Sequence, residues 1–173
     1  MLDNKLYEYD NSMDWGDFYL YKVIPVYMAD LARKYNMRFK VVSCTEIAMY
    51  NEACCLLLGV DNRDGIILST VVNDNGKKVE YHTNIFFRIS IDDSDTAGLD
   101  LSDKHLSIVI LNDLIIISRN LDSKWSKYLQ GDMSWLEDYK KHSSYYEYHN
   151  YLEERNKNLD EIVAWQQEQK TKG

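Results

Sequence analysis

Apolar residues recur in the first third of the chain at Leu20, Ile24, Tyr27, Met28, Leu31 and Tyr35, with spacings of 4, 3, 1, 3 and 4. One face of an α-helix produces that pattern. Pro25 falls inside the run. Having no N–H and a fixed φ, it predicts either a kink or the start of a second helix at its own position.

From residue 38 to 119 the pattern changes. RFKVVS, ACCLLLGV and GIILSTVV are short, β-branched or apolar, and bounded by Asn, Asp and Gly, which predicts strands. NDNG at 73–76 predicts a tight hairpin, because Asn-Gly readily takes the positive φ such a turn requires. Beyond it Val79, Tyr81, Ile85, Phe87, Ile89 and Ile91 share odd positions, with Glu80, His82, Asn84, Arg88 and Ser90 between them. This unbroken phase predicts one long strand, or two joined by a bend at Thr83-Asn84. HLSIVIL and LIIIS flank Asn112-Asp113 and predict a second hairpin. About six strands with short connections favour an antiparallel meander.

The last fifty residues return to a helical pattern. Asp122 or Ser123 is placed to cap a short helix through Leu129, Gly131-Asp132 breaks it, and Asp132 is placed to cap a long helix starting at Met133. On that helix Trp135, Tyr139, His142, Tyr146 and His149 form one stripe. Tyr145, Tyr148, Leu152 and Leu159 form a second, and Tyr151 lies further round. A helix that only covers its own sheet needs one stripe. The second suits either a partner, since tyrosine has an apolar body and a tip that tolerates water, or the N-terminal helix. QQEQKTKG at the end is polar and predicted to fray. The expectation is one α+β domain over residues 1–173: an antiparallel sheet of about six strands within 38–119, an N-terminal helical segment, a long C-terminal helix, and helices on one sheet face.

Charge narrows the function. With 28 acidic against 20 basic residues the net charge is -8. Nucleic-acid binding needs a basic footprint to displace counterions, and an anionic membrane surface is disfavoured too. A basic protein partner suits the charge. The start, MLDNKLYEYD, has no basic region followed by an apolar run, so no signal peptide is expected. Runs such as LSIVIL are too short to cross a bilayer. Cys44, Cys54 and Cys55 are odd in number with two adjacent, a poor disulfide framework that fits reduced thiols in the cytoplasm.

Candidate chemistry is sparse. His142 and His149, seven apart on the expected helix, would be roughly 10 Å apart along its axis, too far for one ion without other ligands bending toward it. Asp93, Asp95 and Gly98 match positions 1, 3 and 6 of a calcium loop, but Ala97 and Lys104 stand where an oxygen ligand and a bidentate glutamate are needed. No metal and no cofactor is expected. The run DDSDTAGLDLSDK is then a solvated loop between strands or an acidic lure for a basic partner; Asp3, Glu8, Asp10, Asp14 and Asp17 add acidity near the N-terminus. G-x-S-x-G and phosphate-cradling glycine loops are missing. Cys44 with His82 or His105 is a conceivable thiol pair without a motif to support it. These features leave an enzyme uncertain and favour binding.

The acidic, tyrosine-rich, motif-poor profile resembles in general character bacterial immunity proteins, antitoxins and phage-encoded inhibitors. That resemblance implies a cytoplasmic protein that neutralises a basic partner by stoichiometric binding, a nuclease-type toxin being the leading class. The expected interface is Asp92, Asp93, Asp95, Asp100 and Asp103, or the side carrying Tyr145, Tyr148 and Tyr151. The alternatives are a small hydrolase or nucleotide-modifying enzyme with an unrecognised site, and an oligomerisation module built on the aromatic helix.

Overall fold

The computed structural model describes residues 15–61 and 65–172. Helical turns open this part of the chain: α1 (Trp15–Phe18), a π-turn (Tyr19–Val23), α2 (Ile24–Tyr27) and α3 (Ala29–Lys34). The π-turn answers the question raised by Pro25. The Ile24 N–H bonds five residues back to the Tyr19 carbonyl, and Pro25 then sits in the first turn of α2, where its missing N–H is tolerated. Leu20, Ile24, Met28 and Leu31 are buried, as their spacing predicts.

Five antiparallel strands follow in meander order: β1 (Arg38–Ser43), β2 (Glu46–Tyr50), β3 (Cys55–Asp61), β4 (Gly65–Asp74) and β5 (Lys77–Tyr81). The NDNG hairpin forms as expected. Asp74 pairs with Lys77, and Asn75 and Gly76 both have positive φ, at 51° and 87°, the requirement of a type I′ turn. Side chains alternate between two cores. Ile47, Met49, Leu56, Leu58, Ile66 and Leu68 pack with the N-terminal helices and a later helix, while Val42, Ala48, Cys55, Leu57 and Val71 pack on the other face. β3 is therefore buried on both sides, which is why its sequence is a continuous apolar run.

Covering both faces corrects the expectation of helices on one face. The strand count is also corrected from about six to five: the sheet ends at Tyr81, so the two strands expected around Asn112-Asp113 fall away, while β2 is a strand the pattern did not single out. Residues 84–88 form the short helix α4 (Asn84–Arg88), not a continued strand. Thr83 is buried with its Oγ1 3.0 Å from Thr70 Oγ1, and Asn84 Oδ1 accepts the Leu68 N–H at 3.1 Å. These side chains end β5 and turn the backbone. The acidic run holds a four-residue helix, α5 (Asp93–Thr96), with Asp92 and Asp95 as its capping box.

The hairpin expected around Asn112-Asp113 is instead one 19-residue helix, α6 (Leu106–Lys124). Ile110, Leu111, Leu114, Ile117 and Leu121 face the first core with helical spacing, and packing overrides the strand preference of isoleucine. α7 (Ser126–Leu129) follows, and Gly131 with φ of 95° breaks the chain where expected. The long helix expected from Met133 is two: α8 (Trp135–Lys141) and α9 (Glu153–Lys172), separated by a non-helical strap. α9 lays Leu159, Ile162 and Val163 on the second core and stays helical to Lys172. The strap runs antiparallel to β5: the His82 N–H donates to the Tyr146 carbonyl at 3.1 Å, and the Tyr148 N–H to the Glu80 carbonyl at 2.8 Å. It covers a sheet edge that would otherwise expose unpaired backbone groups.

Candidate binding surface

The strap removes the expected aromatic stripe, because Tyr145, Tyr148 and Tyr151 do not share a helix. Tyr145 packs its ring against Tyr81 and Tyr139 and donates its hydroxyl to Glu147 at 2.6 Å. Phenolate beside that carboxylate is unfavourable, so its pKa is pushed up to about 12. Tyr148 lies with its ring 5.5 Å from the Arg155 guanidinium, and its hydroxyl accepts from Asn150 at 3.2 Å. Tyr151 alone of the three projects freely, at 95% exposure. His142 pairs with Ser144 at 2.6 Å and stacks edge-on to Phe86, while His149 lies at an open groove beneath the strap.

The five aspartates divide. Asp95 is 1% exposed and structural: Asn120 Nδ2 donates to its Oδ2 at 3.0 Å, Lys124 Nζ at 2.6 Å and the Asp92 N–H at 3.1 Å. Burial pushes its pKa up, but these bonds more than offset it, leaving the carboxyl below its ordinary range. The other four are exposed. Asp92 Oδ1 accepts from Ser94 N–H and hydroxyl while Oδ2 meets Lys124 at 2.7 Å. Hydrogen bonds from Lys124 and Ser94 hold its pKa far below the usual carboxylate range. Asp100 accepts likewise from Ser102 at 2.9 and 2.6 Å, which lowers its pKa, and Asp103 accepts the His105 N–H at 2.8 Å. Arg119 fastens the run to α6 through the carbonyls of Asp95 and Ala97. The carboxylates of Asp92, Asp100 and Asp103 thus stand on fixed turns. The acidic N-terminal stretch from Asp3 to Asp14 lies outside the described residues.

No family model, curated protein or solved structure matches the chain. The surface is therefore read from its own chemistry. Two groups that the alternation concealed now matter. Ile85 and Ile89, expected in the core, are 55% and 62% exposed on α4, while Phe86 and Phe87 are buried. Arg155 is fully buried between Glu46 and Glu80, although Glu80 is an expected solvent-face residue. The helical phase of α4 explains the first; the second had no local signal.

The groove beneath the strap encloses about 550 Å³ between Lys78, Glu80, Tyr148, Asn150, Asn156 and Asp160. Lys78 in it pairs with Asp160 at 2.8 Å and donates to the Asn156 carbonyl at 3.2 Å, and Glu80 is held by Arg155. Cys44 is exposed, and Cys54 and Cys55 are buried. Among the described residues no three His, Cys, Asp or Glu side chains converge as a metal site, and no helix is long and apolar enough to cross a membrane.

Proposed function

We propose that the chain is an acidic binding protein that neutralises a basic protein partner by direct stoichiometric contact, in the manner of an immunity protein or antitoxin against a nuclease-type toxin. The observation that carries this reading is the set of exposed carboxylates Asp92, Asp93, Asp100 and Asp103, of which Asp92, Asp100 and Asp103 are held by serine or backbone donors, on a run fastened to α6 by Arg119. Fixed anions steer a cationic partner over a Debye length of about 8 Å at physiological salt. Carboxylates can also substitute for phosphates in a nuclease's cationic site, and those already held in place cost little to order on binding.

Affinity capture from the cells that make the protein tests this. The expected result is a basic protein whose association slows steeply with salt and whose nuclease activity is lost on adding one equivalent of the chain. A captured basic protein that keeps full activity at saturation, or capture only of acidic proteins, overturns the reading.

A further inference from the structure

Ile85 in α4 and Ile89, its C-cap, lie one helical turn apart and are both exposed. Their neighbours Phe86 and Phe87 anchor the helix in the core, so the fold does not need apolar residues on the outer face. Helix propensity does not call for isoleucine there either, since lysine or glutamate would serve better. A pair of exposed aliphatic side chains on a rigid element is therefore suited to burial against something else.

Their surroundings restrict what that is. Asp92 and Asp93 follow Ile89 by three and four residues, within about 11 to 14 Å even for an extended chain. Asp100 is tied to the same segment of α6 as α4. Arg88, next to Ile89, holds Asp113 Oδ2 at 3.0 Å, and the adjacent Asn112 donates Nδ2 to the Asp100 carbonyl at 2.8 Å. Acidic residues thus follow the apolar pair closely in the chain, and the carboxylates of Asp92 and Asp100 are fixed by their own donors.

We propose that Ile85 and Ile89 form the apolar centre of an interface rimmed by Asp92, Asp93 and Asp100. Its occupant is a protein that presents an aliphatic or aromatic side chain set among lysines and arginines. This rests on the basic-partner reading above and adds the chemistry of the contact. A second copy of this chain is disfavoured, because a twofold interface would bring the same carboxylates face to face. A nucleic acid would be repelled, and a polycation without apolar groups would leave the isoleucines in water. The division of labour is that charge sets the association rate and the desolvated centre sets the dissociation rate.

A photo-crosslinking residue, p-benzoylphenylalanine, replaces Ile89 in one variant and Glu168 on α9 in a control, and the cells that make the protein are irradiated. Position 89 should yield an adduct with a basic protein and position 168 should not. With that protein purified, Ile85→Ser with Ile89→Ser should speed dissociation at least about tenfold and leave association unchanged. Asp92→Asn with Asp93→Asn and Asp100→Asn, which keeps a capping side chain at 92, should slow association and flatten its salt dependence. Circular dichroism confirms that each variant is folded. If the isoleucine variant binds like the parent while the aspartate variant is impaired, this inference falls and the basic-partner reading stands. A basic partner indifferent to the aspartates overturns the basic-partner reading itself. No adduct at position 89, or an adduct with a second copy or an acidic protein, overturns the inference.

Discussion

Arg155 Nη1 donates to Glu80 Oε2 at 2.9 Å, joining the first turn of α9 to β5 across 75 residues of chain. The same guanidinium donates through Nη2 to Glu46 Oε1 at 2.9 Å on β2, 109 residues away. β3 and β4 lie between those strands in the sheet, so one side chain clamps α9 across most of the sheet's width. Burial alone would push the guanidinium toward deprotonation. The bonds from both carboxylates outweigh it and hold the cation more firmly than in water.

Removing that cation should be costly, because the buried Glu80 carboxylate would lose its partner with the half-buried Glu46 carboxylate close by. Arg155→Met should lower unfolding free energy by about 3–5 kcal/mol. Adding Glu46→Gln and Glu80→Gln should restore much of the loss, since the stranded charges are then gone. Urea unfolding of the parent, single and triple variants measures both steps. A single variant within about 1 kcal/mol of the parent would show that the clamp contributes little.

Acid should act through Asp95. Its folded pKa is depressed, so its contribution is fully present above the unfolded value of about 3.9 and is lost as pH falls through the folded value. Asp95→Asn should melt several degrees below the parent at neutral pH, with a gap that is flat down to about pH 5 and narrows below about pH 4. Thermal melts across that range decide it; a gap that widens on acidification contradicts the assignment.

Besides its backbone bonds to β5, the strap is anchored by the Tyr139 hydroxyl. Tyr139 donates to the His82 carbonyl at 2.9 Å and accepts the Tyr146 N–H at 3.1 Å. Tyr139→Phe should cost about 1–2 kcal/mol, because buried partners lose a bond. It should also speed amide exchange at Tyr146 and Tyr148 well before that of β2 and β3. Equal protection of the strap in both proteins would place its anchorage elsewhere.

Thiol chemistry should separate the cysteines. Burial pushes the Cys54 thiol up to about 12 and Cys55 higher still, so neither supplies thiolate near neutral pH. Alkylation of the native protein should modify Cys44 alone, with Cys54 and Cys55 following only on denaturation. Fast labelling of Cys54 in the folded chain would be incompatible with the packing described.

What the sequence determined by itself was local. The β4–β5 turn follows from Asn75-Gly76, the break after α7 from Gly131, and the helical register from Leu20 to Leu31, because each depends on backbone preferences within a few residues. β1, β3, β4 and β5 were legible for the same reason, whereas β2, Glu46–Tyr50, was not picked out by its pattern. Tertiary structure decided the rest. Whether Ile110 to Leu121 form strands or a helix depends on the sheet face they pack against, and isoleucine runs serve either. Where β5 stops depends on Thr83 meeting Thr70. That stop turns Ile85 and Ile89 outward while Phe87, midway between them, stays inside with Phe86, so the alternating phase no longer separates buried from exposed positions. The Arg155 clamp and the strap unite residues far apart in the chain, and no periodicity records a contact whose partners meet only after the sheet has formed.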